Sequence, residues 1–335
     1  MQHNIDKPIL AITLGDINGI GPEILVKALA DRELWHVCRP LVVGDVKAIE
    51  ACRQWAPDCP APQEITGQDL PEKGMPVVSK GLKVPTRRPG VLDPEAGRCA
   101  VEWLKHAVRE AVAGRVDGIV TCPINKQGIH MAGYAYPGHT EIIAEMTGSQ
   151  EYRMCLFAGP LRIVHVSSHC PLAVCVQHVT LERVAQSIRV GHDALVRLGL
   201  ERRHVAVAGL NPHAGEAGAL GCEEETIIAP AIAQCKGEGI DCSGPYPPDT
   251  VFRRMHAGEF DLVVAMYHDQ GHIPLKLLAM DEGVNVTLGV SVVRTSVDHG
   301  TAYDIAGQGI ADEGSLCAAI RLAAQFATAR NREEP

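Results

Sequence analysis

The chain has 335 residues, room for one large α/β domain or two lobes and too little for three domains. Apolar residues make up 46% and aromatics 4%, so a core must come mainly from Val, Ile, Leu and Ala, and the apolar fraction argues against disorder. With 31 Lys and Arg against 40 Asp and Glu the formal charge is −9, which argues against a general nucleic-acid binder but leaves room for a small anionic substrate held by a few local cations.

Short β-like runs alternate with amphipathic helical runs. Residues 9–14 read as a strand that ends in a Gly-rich turn, 15–21, with Pro22 placed to open a helix. A second strand is expected at 41–43. The Pro- and Gly-rich stretch 57–94 predicts only extended segments and turns. A helix over 94–114 and a strand over 117–121 follow. Further along, strands are expected at 162–166, 204–210, 261–266 and 284–288, and helices at 181–198, 223–235 and 313–329. Val184, Ile188 and Leu195 recur at helical spacing in the first of these helices. Runs of Val and Ile between helices predict largely parallel strands covered on both faces, hence an α/β fold with a parallel or mixed sheet.

No run approaches the ~20 apolar residues of a spanning helix, and the first residues do not read as a secretory signal. The twelve cysteines form no CxxC, and Cys170 and Cys175 are wrongly spaced for a zinc ribbon. Cys122 and Cys155 lie in apolar segments. The expectation is reduced thiols in a cytoplasmic protein.

In open α/β sheets ligands bind at the carboxyl ends of strands. Polar clusters stand at such places: 121–126, 167–169, 211–213 and 267–269. His169, His213 and His268 each follow a strand-like run. Any one alone is more often a hydrogen-bonded loop residue. Three at equivalent places favour a divalent metal site with open positions. Asp249 and Asp269 read as carboxylate ligands or as groups that orient the ligands, although each alone reads as a cap or turn residue. Lys126, Lys276 and Arg294 (the last placed after the final strand) suit a phosphate or carboxylate clamp. His139 and Thr140 are expected to open a helix whose N-terminus would suit an anion, or Thr140 is an ordinary N-cap. There is no G-x-G-x-x-G, no P-loop, no G-x-S-x-G and no H-E-x-x-H, which disfavours a Rossmann dehydrogenase and a P-loop enzyme.

Five strings carry a resemblance: Gly15-Asp-Ile-Asn-Gly-Ile-Gly-Pro-Glu23, Pro137-Gly-His-Thr-Glu141, Leu210-Asn-Pro-His-Ala-Gly-Glu216, Met266-Tyr-His-Asp-Gln-Gly271 and Arg294-Thr-Ser-Val-Asp-His-Gly-Thr-Ala302. They resemble the 4-hydroxythreonine-4-phosphate dehydrogenase family of pyridoxine biosynthesis, over about residues 8–325. The resemblance implies a two-lobed isocitrate/isopropylmalate dehydrogenase-like fold with a cleft active site and no Rossmann glycine fingerprint. The lobes would be 1–128 plus 296–335, and 129–295 with the metal ligands and dimer contacts. It implies NAD, with NADP as the variant, and a divalent ion (Zn, Co, Mg, Mn or Ni) on His169, His213 and His268, the last supplied across a homodimer. It assigns His139, Thr140, Lys276, Asn285 and Arg294 to the substrate, Asn285 on this ground alone. The implied reaction is oxidation of a secondary alcohol β to a carboxylate, followed by loss of CO2, with Asp249, His139 or Lys126 as base.

Ile17, His272 and Ser291-Val-Val depart from the biosynthetic pattern and look more like the branch acting on D-threonate or D-erythronate 4-phosphate. The competing readings are an aromatic cis-dihydrodiol carboxylate dehydrogenase of the same family, a phosphate acyltransferase on a similar fold, and a zinc hydrolase. A purely structural or regulatory binding protein carries the least weight.

Overall fold

The computed structural model describes residues 7–66, 70–71, 74–279 and 282–333. The strands are β1 Ile9–Thr13, β2 Arg39–Val43, β3 Pro62–Glu64, β4 Met75–Val78, β5 Gly118–Thr121, β6 Arg153–Ala158, β7 Leu161–His165, β8 Val205–Ala208, β9 Cys242–Tyr246, β10 Leu262–Ala265, β11 Val284–Leu288 and β12 Arg294–Val297. The chain divides into two compact units. One holds the residues up to Gln150 and those from Val290 onward; the other is Glu151–Gly289.

In the first unit the strand order is β3-β4-β2-β1-β5-β12, and every pair is parallel. β5 is buried along its whole length and β1 nearly so, which is what helices on both faces of a parallel sheet require. The helix Pro94–Val112 starts where Asp93 accepts from the Glu95 N–H and Pro94 occupies a position that needs no donor. It buries Trp103, Leu104 and Val108. The helix Gly314–Glu333 packs on β12, and the Thr295 hydroxyl of that strand donates to the Ala319 carbonyl. The Gly-rich turn after β1 is locked in place. Asp16 accepts from the Asn18 N–H at 2.9 Å and from the Tyr303 hydroxyl at 2.5 Å, and Glu23 accepts from the Ala311 N–H at 2.8 Å.

In the second unit the order is β11-β6-β7-β10-β8-β9. β6 runs antiparallel to both neighbours, and the remaining pairs are parallel. Leu156, Ile163, Val263, Met255, Phe260 and Leu275 share its core. The helix Leu181–Arg197 buries Val184, Ile188 and Leu195, as its periodicity predicts, and Thr180 caps it.

Several expectations need correction. The lobe boundaries shift, so that 129–150 and 290–295 join the first unit. The reason is packing: the helix His139–Thr147 lies on Pro94–Val112, and β12 pairs with β5. Arg294 does not follow the last strand; it begins β12 opposite Ile119. The stretch 57–94 contributes two short parallel strands, β3 and β4. The helix expected at 223–235 opens with a π-turn, Glu224–Ile228, before Ala229–Gly237. Pro230 has no N–H for an ordinary helical bond there. Among the described residues no helix is long and apolar enough to cross a membrane.

Gly15 adopts a left-handed φ of 67°, and a Cβ there would collide with the Pro123 carbonyl oxygen. Gly114 has a similar φ of 70° but open space around it. Gly15→Ala should therefore cost about 2–4 kcal/mol and Gly114→Ala only about 1–2 kcal/mol, read from urea midpoints. Equal losses would contradict the steric account.

Candidate active site

β10 pairs in parallel with β7 on one side and β8 on the other, so the carboxyl ends of all three open on one edge of the second unit's sheet. His169 follows β7, His213 follows β8 and His268 follows β10. The imidazoles of His169 and His268 come together, with ring centroids 5.8 Å apart. His213 is exposed in the turn Pro212–Gly215, on a left-handed backbone with φ 53°. Within one chain, and among the described residues, no three His, Cys, Asp or Glu side chains gather to hold an ion. The donors that do meet are imidazoles on one sheet edge. As a donor type they suit zinc and its transition-metal neighbours better than hard cations.

His268 is supported from behind. Its Nδ1 donates to Asp269 Oδ1 at 2.6 Å. The ring of His272 stacks on it with centroids 3.5 Å apart and planes 12° from parallel. His272 Nδ1 in turn donates to the His268 carbonyl at 3.0 Å, which directs its proton away from the exposed edge. His165 lies 4.8 Å beyond His272. Burial pushes His165 down to about 3, so it is neutral at physiological pH. Gly271 allows this approach, because a Cβ there would collide with His165 Nε2. Buried Gln270 accepts from the Met266 N–H at 2.7 Å and donates to the Gly209 carbonyl at 2.8 Å. It thereby ties the turn that leads into His268 to the turn that leads toward His213.

Asp249 is not in a turn. It lies in the first turn of the helix Pro248–His256 and lines a groove of roughly 530 Å³ with Tyr267, Asp269, Phe252 and Ile273. Lys276 is exposed on the helix His268–Ala279. Asn285 sits on β11 opposite Leu156, and its Oδ1 is shielded from solvent with no hydrogen-bond partner in the protein.

The first unit gathers a different set. Arg294 is 3% exposed and donates through Nη2 to Thr121 Oγ1 at 3.0 Å, at the end of the adjacent strand β5. Burial lowers it to about 10, so it remains a cation at neutral pH. His139 opens the helix His139–Thr147 and makes a hydrogen bond with the Cys122 backbone. Its Nε2 is shielded, with no protein partner. Burial, and then the positive charges of Arg294 and Lys126, hold His139 well below the ordinary histidine range. Thr140 is not the N-cap, since Gly138 occupies that position. Lys126 is exposed at the start of the helix Lys126–Met131, whose cap is Asn125. The buried Arg294 guanidinium beside Thr121 suits an anionic group, and the neutral His139 ring nearby leaves Nε2 to accept from a hydroxyl.

Sequence reasoning missed His165, Gln270 and the buried Glu224. Each is one polar residue among apolar or turn residues, and nothing in the linear pattern marks it.

A family model described as pyridoxal phosphate biosynthetic protein PdxA matches residues 36–323. The chain is 44% identical over 331 residues to a D-threonate 4-phosphate dehydrogenase of Cupriavidus necator, covering 96% of this chain and 98% of that one. It is 46% identical over 326 residues to a 4-hydroxythreonine-4-phosphate dehydrogenase of Desulfosudis oleivorans, covering 95% of each. The crystal structure of a 4-hydroxythreonine-4-phosphate dehydrogenase from Klebsiella pneumoniae superposes with a TM-score of 0.87 at 40% identity, over 96% of this chain and all of that one. The fold is the isopropylmalate-dehydrogenase-like α/β type, and the chain belongs to the PdxA family of pyridoxal phosphate biosynthetic proteins.

Proposed function

We propose that this protein is a metal-dependent, NAD-linked dehydrogenase that oxidises a phosphorylated four-carbon hydroxy acid at the alcohol β to its carboxylate, after which the β-keto acid loses CO2. The observation that carries this reading is the delivery of His169, His213 and His268 to one edge by three adjacent parallel strands. A homodimer would complete the site, with His268 coming from the second copy. The cation, when bound, supplies Lewis acidity that lowers the alcohol's pKa and polarises the carbonyl formed from it.

The chain's own residues bind and orient. Arg294, with Thr121 beside it, pairs with an anionic end of the substrate, and Lys276 with another. His139 and Asn285 offer shielded polar atoms to hydroxyl groups. Burial and the charges of Arg294 and Lys126 hold His139 below the ordinary histidine range, which favours hydrogen bonding by the neutral ring, and the base is drawn from Asp249, Lys126 and His139. D-threonate or D-erythronate 4-phosphate is the preferred substrate. The relative from Cupriavidus necator supports it, as do the departures at Ile17, His272 and Ser291. The relative from Desulfosudis oleivorans favours 4-phosphooxy-threonine as the second reading.

A panel of 4-phosphooxy-threonine, D-threonate 4-phosphate, D-erythronate 4-phosphate and an aromatic cis-dihydrodiol carboxylate, each with NAD, decides the matter. NADH formation with CO2 release is expected on a sugar-acid phosphate, lost on chelation and restored by a divalent ion. Turnover that needs no nicotinamide would exclude the proposal. His213→Ala should lower turnover by at least about 100-fold while size-exclusion and circular dichroism report an intact folded dimer. Full activity in that variant would refute the metal assignment. Arg294→Ala should raise KM for the phosphorylated substrate about 10–100-fold, since a charge-assisted hydrogen bond is lost, and leave KM for NAD nearly unchanged. Equal effects on both would contradict the clamp.

A further inference from the structure

His213 is presented by a backbone that would not hold its shape unaided. His213, Ala214, Gly215, Glu216, Ala217 and Gly218 all take left-handed φ, at 53°, 55°, 80°, 44°, 52° and 88°. Four of the six are not glycine, and for those the left-handed region is unfavourable. Such a turn persists only where surrounding contacts over-determine it.

Within the loop Ala214 donates to the Asn211 carbonyl and Gly218 and Leu220 to that of Gly215, and the segment that leads into it is held by one carboxylate. Glu224 is 3% exposed. Its Oε1 accepts from the backbone N–H of Leu210 at 2.8 Å and of Asn211 at 2.7 Å. Its Oε2 accepts from Asn211 Nδ2 at 2.9 Å, and the same amide donates to Glu223 Oε2 at 2.8 Å. The loop is shaped around this group. A Cβ at Gly215 would lie 2.8 Å from Glu224 Oε2, and one at Gly209 would lie 3.1 Å from Oε1. Glu224 is also the first residue of the π-turn Glu224–Ile228. Widened turns of this kind recur at functional sites. A buried carboxylate is costly unless hydrogen-bonded, and this one spends its acceptors on the loop rather than on neighbours within its own helix.

We infer that Glu224 is a positioning residue for the reaction: it holds the strained loop 209–218 in the conformation that presents His213. This rests on the reading that His213 serves the metal site. Glu224→Gln keeps the size but turns an amide N–H2 toward Asn211 or the Leu210 and Asn211 N–H groups, where acceptors are needed. The control is Ile188→Ala, a buried core substitution elsewhere in the same unit.

The test uses the full-length protein. Hydrogen exchange of peptides covering 209–218 is measured without added metal, and Mn2+ affinity and steady-state kinetics are measured with it. In Glu224→Gln, exchange in 209–218 should accelerate about tenfold. Mn2+ affinity and kcat/KM for the phosphorylated substrate should each fall about 10–100-fold, with KM for NAD within twofold of wild type. Ile188→Ala should lower the thermal midpoint at least as much while leaving the 209–218 exchange and the Mn2+ affinity in place. Wild-type exchange and affinity in Glu224→Gln would overturn the inference, and so would equal losses in the control. Wild-type behaviour of Glu224→Gln beside an inactive His213→Ala would sink this inference alone. A fully active His213→Ala would sink the underlying reading and, with it, any positioning role for Glu224.

Discussion

The parallel pairing of β10 with β7 and β8 is the constraint that places the second unit's histidines. Val264 aligns with Val164 on one side and with Val207 on the other, so three chain segments leave the sheet at one edge and at nearly one level. Parallel strands need long crossover connections, and here those connections carry polar residues at their start. A slip of one residue would turn every side chain of a strand to the opposite face. The fully buried, apolar composition of β8 and β10 fixes the register through packing, and the histidines inherit their placement from it.

Around that edge the imidazole of His268 is well supported. His165 is too deeply buried to carry a charge and lies tilted behind His272, whose ring stacks on His268. In the first unit the logic reverses. Arg294 keeps its charge despite near-complete burial, and the nearby His139 gives up its own. A buried guanidinium is expensive to desolvate, and an anionic ligand repays that cost with a strong, directional pair.

Motif strings that identify the family divide into two physical kinds. The string from Gly15 to Glu23 is largely a lock. Gly15 lies under a carbonyl, Asp16 is bound to Tyr303, and Glu23 is bound to the backbone at Ala311. The string from Leu210 to Glu216 is a strained presentation loop held by Glu224. In both, glycine and carboxylate positions serve geometry.

Local pattern determined much of this. The apolar runs of β1, β5, β8, β10 and β11, the periodicity of Leu181–Arg197 and the polar residues after strands are all short-range signals, readable one segment at a time. The class of fold and the candidate histidines followed from them. Tertiary structure alone decided what depends on partners distant in sequence. It set the strand order and the antiparallel insertion of β6, and it placed Arg294 inside β12 rather than after a strand. It also drew 129–150 into the first unit, stacked His272 on His268, and aimed Glu224 at a loop that begins more than ten residues earlier. A single segment carries no record of which neighbour will bury it or which donor will meet its carboxylate, because those energies exist only once the chain has closed on itself.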